Sequence, residues 1–299
     1  MTANALDERD HEIAESSAAK LRRRIFGNSA LMLGGGVLAA MLLIAASAPL
    51  LTPYSPYAQD LSQRLIEPVW HASGSWAHPF GTDQLGRDYL CRILYGTRIS
   101  LLIGSAATLI SGLIGITLGL LAGYYGGGVD LAVTFLITTR LAMPVVLIAL
   151  SVVALVGGSL QVVILVLGLL LWDRFAVVTR GATQQVRSLD YVGAALATGC
   201  SSLRVIVSEI LPNIASPLIV VATLEMAQAI LLEASLSFLG LGVQPPLPSW
   251  GLMISEGKEY MFFSPWVIAV PGVALFVLVL AINLVGDGIQ TERGSEGRA

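Results

Sequence analysis

The chain is poor in the side chains from which soluble enzymes build their sites. Two cysteines and three histidines in 299 residues show no CxxC or Cys/His spacing, which supports neither a disulfide framework nor a metal site. His11, His71 and His78 lie outside the apolar runs with no second ligand at helical spacing, a placement that favours solvated or structural roles. Lysine is scarcer still. Lys20 and Lys258 are the only two, and neither sits in a G-x-x-x-x-G-K-[ST] phosphate loop; "GTDQLGRD" lacks that pattern as well. The chain therefore cannot hydrolyse ATP alone. Charged residues make up 12%, against about a quarter in ordinary soluble domains. No basic stripe interleaved with aromatics is present, which argues against nucleic acid as a partner.

What the chain does have is long apolar runs, and these place it in a lipid bilayer. Crossing as a helix takes about 20 apolar residues, because no lipid-facing backbone group can go unsatisfied. Six segments qualify: roughly 30–51, 99–124, 130–156, 160–179, 214–239 and 266–286. The first follows Arg22, Arg23 and Arg24 and ends near Ala46-Ser47-Ala48, as a signal peptide would. Its apolar stretch exceeds the roughly 7–15 residues of a signal core, and a long polar extension precedes it, so it is read as an uncleaved span.

Lys20 and Arg22 to Arg24 put the N-terminus in the cytoplasm, and six crossings return Arg293 and Arg298 to the same side. The loop bearing Arg187 and Arg204 is then cytoplasmic too, while Arg64, Arg87, Arg92 and Arg98 in the external segment pull the other way. The expected organisation is a cytoplasmic tail (1–29), a transmembrane domain (30–289) containing an external segment (52–98), and a short cytoplasmic tail (290–299). Leu90, Ile93 and Leu94 recur at helical spacing and predict an interfacial helix leading into the second span.

Between the fourth and fifth spans runs "DYVGAALATGCSSLRVIVSEILPN", Asp190 to Asn213. Asp190 is the expected N-cap of a two-turn helix and Gly199 its terminator. Ser201 or Ser202 caps a second helix with Leu203, Ile206, Val207, Ile210 and Leu211 on one face, and Pro212 marks its end or a kink into span five. Ala194, Ala195 and Thr198 are small enough for another protein to approach the backbone closely. From spacing alone, a plain interfacial linker fits equally well.

At these residues the chain resembles the EAA loop of ABC-importer permeases, through Ala194, Ala195, Gly199, Ile210, Leu211 and Pro212; Gly193 stands where the motif has glutamate. "HPFGTDQLGRDYLCRILYGTRISL" (78–101), "EASLSFLGLGVQPPLPSWG" (233–251) and "NLVGDG" (283–288) are similar to the C-type permease subunit of the dipeptide/oligopeptide/nickel branch. Phe135 and Thr138 stand where family members often carry an arginine and an aspartate, with Arg140 nearby.

The resemblance implies an all-α, six-span type I ABC importer permease fold in a bacterial inner membrane. Gly193, Ala194, Ala195, Gly199, Ser201, Leu211 and Pro212 would form the coupling loop to an ATPase. The implied partners are a B-type permease, two ABC ATPase subunits that bind the ATP and Mg, and an extracytoplasmic binding protein that delivers substrate. Peptides are the expected cargo, with nickel chelates, glutathione or small glycosides as alternatives.

Arg140, Glu225 and Glu233 fall within expected spans, where a central charge costs about 2.5–3.5 kcal/mol and marks a bundle interior or an aqueous path. With Gln228 they either line a translocation pathway or pair structurally with one another, with serines or with backbone. Asp83, Arg87 and Asp88 either shape an external mouth, touching a binding protein, or form a structural turn. A secondary transporter would need midplane charges together with an internal repeat of broken helices, and no convincing repeat is visible. An intramembrane hydrolase would need a nucleophile–base set or a metal cluster, and none is present at helical spacing.

Overall fold

The computed structural model describes residues 28–296. His11, Lys20, Arg22, Arg23, Arg24 and Arg298 lie outside the described residues, as does the side chain of Arg293. Ten α-helices of eight residues or more carry the fold: α1 (Ser29–Leu51), α2 (Tyr89–Tyr125), α3 (Gly127–Leu141), α4 (Val145–Val156), α5 (Leu160–Leu170), α6 (Asp173–Arg187), α7 (Asp190–Ala197), α8 (Leu211–Phe238), α9 (Trp250–Gly257) and α10 (Trp266–Glu296). Among the described residues, β pairing is confined to one isolated bridge, Thr82 with Asp88.

Four of the helices start where a side chain satisfies the first free N–H groups. Asn28 Oδ1 accepts from the amides of Ala30 and Leu31, Asp88 Oδ1 from Cys91 at 2.6 Å, and Ser159 and Ser249 cap α5 and α9 in the same way. α2 ends at Gly126, whose φ of +67° is open to glycine and strained for most other residues.

Five helical stretches are long and apolar enough to cross a membrane, and α3 and α4 together form a sixth, bent by 81°. The bend has a local cause. Pro144 disfavours helical geometry at Met143, while its own φ of −62° suits a new helix start, so α3 stops and α4 begins in another direction. Parity shows that the bent pair crosses. Asn28 Nδ2 donates to the Gly288 carbonyl at 2.8 Å, and Gly34 of α1 packs against Ala281 and Leu284 of α10. The start of α1 and the end of α10 therefore lie on one side, which requires an even number of crossings.

The second helix differs from expectation. No separate interfacial helix precedes it: Leu90, Ile93 and Leu94 belong to the first turns of the 37-residue α2, and Ile93 is buried. The polar residues Arg92, Thr97 and Arg98 hide this continuity from a hydropathy reading. Pro271 does not interrupt α10.

α2 is the hub. Its glycines let neighbours approach to backbone distance: Gly96 lies against Trp250, Gly104 against Ile230 of α8, and Gly115, Gly119 and Gly123 against α6. The last three are spaced by four residues and share one face, a small-xxx-small stripe of the kind that brings membrane helices together.

Candidate functional site

Three constellations emerge: an exposed helix between α6 and α8, a polar cluster deep in the bundle, and a buried ion network on the segment before α2.

The exposed helix is α7. Its N-cap is Leu189, with no side-chain bond, so Asp190 is the first helical residue and not the cap that its sequence position suggests. The other end follows the expectation. Gly199 has φ +86°; its amide donates to Leu196 O at 3.0 Å, and the Cys200 amide donates to Ala195 O at 3.1 Å. This is the Schellman pattern, which satisfies the last carbonyls and fixes the exit direction. Ser201 Oγ then accepts from the Arg204 amide at 3.4 Å.

Beyond Ser202–Arg204 the helix widens to π geometry over Val205–Ile210 before α8. The wide turn sits just ahead of Pro212, which lacks an amide to donate and whose ring would crowd the carbonyl four residues back. Pro212 is thus absorbed near the start of α8, and the helix continues without a stop.

α7 is tied down chiefly by one buried residue. Val192 is fully buried among Leu120, Tyr124, Val205, Ile206, Ile210 and Ile214, which come from the end of α2 and the start of span five. Tyr191 Oη accepts from Asn213 Nδ2 at 3.1 Å, a second link to α8. Gly193, Ala194, Ala197 and Thr198 are exposed, whereas Ala195 is half-buried against the Val192 cluster. That corrects the expected small-residue face: Ala195 faces inward. In the second helix Ile206 and Ile210 are buried, while Leu203 and Val207 point outward, so the expected single apolar face is split. A β-carbon added at Gly193 would meet no atom within 4 Å, leaving the position open to a glutamate.

The deep cluster joins the breaks in spans three and four. Arg140 donates through Nε to Leu170 O at 2.8 Å, and through Nη1 to Met143 O at 3.3 Å. It thereby caps the ends of both α3 and α5 with positive charge, as the helix dipole favours. It bonds to neither glutamate. Glu225 is buried and lies 3.3 Å from Arg174 Nη1. Glu233 is also buried; its Oε1 accepts from Ser237 Oγ at 2.7 Å and Ser249 Oγ at 3.1 Å. Neither glutamate lines an open surface in this chain, and Gln228, one turn from Glu225, is half-buried. The exposed charge is Arg174. With Asp173 it lies inside the expected fourth span, where a count of charges finds both, yet neither is among the residues expected to line a pathway. Near the membrane edge, Asp130 of α3 pairs with Arg180 of α6 through Oδ2 and Nη2 at 2.7 Å.

The third constellation overturns an exposed role for Asp83, Arg87 and Asp88, all of which are buried. Asp83 Oδ2 accepts from Arg87 Nε at 2.6 Å and from Arg92 Nη1 at 2.7 Å. Glu256 Oε2 accepts from the same two guanidinium groups at 3.1 and 2.9 Å. Burial raises the Glu256 carboxyl above its ordinary value, and Arg87 pulls it back. Asp88 Oδ2 meets His78 Nδ1 at 2.8 Å, and His78 Nε2 meets Gln63 Oε1 at 2.7 Å. The guanidinium groups of Arg87 and Arg92 balance the carboxylates of Asp83 and Glu256, and together they clamp α9 to the root of α2. Arg92→Ala is expected to cost about 3–5 kcal/mol, because it leaves two buried carboxylates sharing one guanidinium. Thermal unfolding in detergent measures the loss, and a midpoint unchanged from wild type would contradict this role.

A six-span bundle with glycine-mediated packing and a helix displayed between spans four and five is an architecture suited to a membrane permease. Residues 115–291 match the family described as binding-protein-dependent transport system inner membrane component, and residues 18–68 match the N-terminal TM domain of oligopeptide transport permease C; the chain belongs to this family. Among its relatives is the dipeptide transport system permease protein DppC of Haemophilus influenzae, 38% identical over 88% of this chain and 89% of that protein. The di/tripeptide transport system permease protein DppC of Pseudomonas aeruginosa is 40% identical over 82% and 81%. The glutathione transport system permease protein GsiD of Pectobacterium atrosepticum is 41% identical over 72% of each. The fold matches that of the MetNI methionine ABC transporter in an inward-facing conformation, with a TM-score of 0.55 at 17% identity, over 66% of this chain and 94% of that one. The chain has the type I ABC importer permease fold and is a multi-pass membrane transport component.

Proposed function

We propose that this permease forms half of a pathway importing peptides across the inner membrane, with both chain ends, residues 1–29 and 290–299, in the cytoplasm. The other half would be a B-type permease, substrate would arrive from an extracytoplasmic binding protein, and two ATPase subunits would bind ATP and Mg. The observation that carries this reading is α7. Its exposed surface sets the small residues Gly193, Ala194 and Ala197 beside Tyr191 and Leu196, its end is fixed by the Schellman turn at Gly199, and Val192 seats it against both α2 and the start of α8. A push on α7 is therefore passed to two spans at once. Gly193, Ala194, Ala195, Gly199, Ser201, Leu211 and Pro212 act together in this device, with Ala195 and Leu211 on its inner side.

The peptide assignment draws on the relatives named for dipeptides and di/tripeptides, with glutathione as the alternative. The test is uptake by proteoliposomes holding the four-subunit complex, with binding protein and radiolabelled dipeptide outside and ATP available to the ATPases. ATP-dependent accumulation that excess glutathione does not suppress is the expected result. Uptake driven by an ion gradient without the ATPase subunits would overturn it.

A further inference from the structure

Arg174 occupies a place that lipid does not tolerate. The fourth span, Leu160–Arg187, has 28 residues, and Arg174 lies midway along it, about 20 Å from either end at 1.5 Å per residue. Its side chain is 54% exposed while that of its partner Glu225 is 1% exposed. A guanidinium carries five N–H donors, and the one contact to Glu225 through Nη1 leaves most of them free. Arg140 differs: its donors are engaged by the carbonyls of Leu170 and Met143. Charged groups at this depth belong on a bundle interior or a watery cavity.

Two further positions on that face agree, with the apolar Val177 and Val178 between them and Arg174. Gly181 and Gln185 fall within about 20° of Arg174 around α6 at 100° per residue, and both are exposed. A β-carbon added at Gly181 would meet nothing within 4 Å. An arginine, an open glycine and a glutamine thus form a stripe from the middle of the bundle to the α7 end of α6.

We infer that Arg174 lines the translocation pathway and receives the carboxylate of the passing substrate, with buried Glu225 holding the guanidinium in place. This rests on the peptide reading, which supplies the carboxylate. The pairing has a functional logic. A lone arginine in a poorly solvated cavity would hold a carboxylate too firmly for release, whereas Glu225 competes for the same guanidinium and keeps the contact transient. Arg174 is thereby a specificity-determining residue of the permease itself, separate from whatever the binding protein selects.

The experiment uses the assembled complex in proteoliposomes, with Cys91→Ala and Cys200→Ser removing this chain's own thiols and the same complex without the Arg174 change as the labelling control. Arg174→Cys is treated with a cationic or an anionic methanethiosulfonate reagent, and ATP-dependent dipeptide uptake is measured. Removing Arg174 strands Glu225, so the cysteine is also placed in a Glu225→Gln background, and Arg174→Lys serves as the conservative variant. Unmodified Arg174→Cys should lose about tenfold in uptake, consistent with losing one charge-assisted contact. The cationic adduct and Arg174→Lys should recover most of it, and the anionic adduct none. Failure of both reagents to label the introduced thiol in the assembled complex would overturn the inference, as would equal uptake with either adduct. A wild-type complex that imports no dipeptide sinks the peptide reading itself, a result distinct from wild-type import with an Arg174→Cys variant inert to both reagents.

Discussion

Gly119→Leu is expected to prevent the permease from accumulating in folded form. An added β-carbon at Gly119 would lie 2.5 Å from Thr179 Cβ, 2.8 Å from Ala176 O and 3.0 Å from Arg180 N. Two of those three atoms are backbone of α6 and cannot swing aside. Gly115 and Gly123 make equally close approaches one turn to either side, so α2 and α6 touch along a line and not at a point. Lipid tails are as apolar as leucine, so burial of apolar surface does little to hold these helices together; close van der Waals contact does. Overpacking by a methylene or two already costs about 1–3 kcal/mol. A leucine here must push α6 away as a unit, and Phe175, Ala176 and the half-span carrying Arg174 move with it. Gly128→Leu, where the added β-carbon meets nothing within 4 Å, is the matching control. Size-exclusion profiles and protease resistance in detergent report the outcome. A Gly119→Leu protein as monodisperse and resistant as wild type would show that α2 and α6 are not held by this stripe.

Parts of this architecture were open to the sequence and parts were not, for physical reasons. The spans themselves announce themselves through hydropathy, since a bilayer demands long apolar runs. Pro144 marks the bend in span three because its geometry acts on its immediate neighbour. The second break, at Leu171 and Trp172, has neither glycine nor proline to betray it and depends on Arg140 reaching Leu170 O from another helix. α6 runs on to Arg187, beyond the expected limit at Thr179, because Arg180, Gln184 and Gln185 are polar yet helical. Burial of the Asp83, Arg87, Arg92 and Glu256 network is a tertiary fact: Glu256 lies more than 160 residues from its partners, and no local pattern foretells the meeting. In α7 the glycine at 199 was legible because a positive φ has few alternatives. The inward turn of Ala195 was not, since the fit of Val192 decides how the helix is rotated.

That rotation sharpens the largest functional effect to be expected. Ala194→Trp should reduce substrate-stimulated ATP hydrolysis by the reconstituted complex at least tenfold while leaving this chain folded and inserted. Ala194 is exposed on α7, so the indole meets no atom of its own chain core and instead blocks whatever approaches the small-residue face. Ala195→Trp would be a poorer test. Ala195 packs against the cluster of Leu120, Tyr124, Val192 and Ile210, and a bulky residue there would dislodge α7 from the bundle. Loss of activity would then mean only loss of structure. Gly199→Val separates the two causes from the other direction. It leaves the exposed face untouched but forces a β-branched residue into φ +86°, costing about 1–2 kcal/mol and loosening the exit from α7. If α7 works as a rigid lever, Gly199→Val should retain ATPase subunits on co-purification yet stimulate them poorly, whereas Ala194→Trp should lose the subunits as well. Should Ala194→Trp keep both the subunits and full stimulation, α7 is not the contact, and the reading of this segment as the point of entry for ATP-driven motion fails.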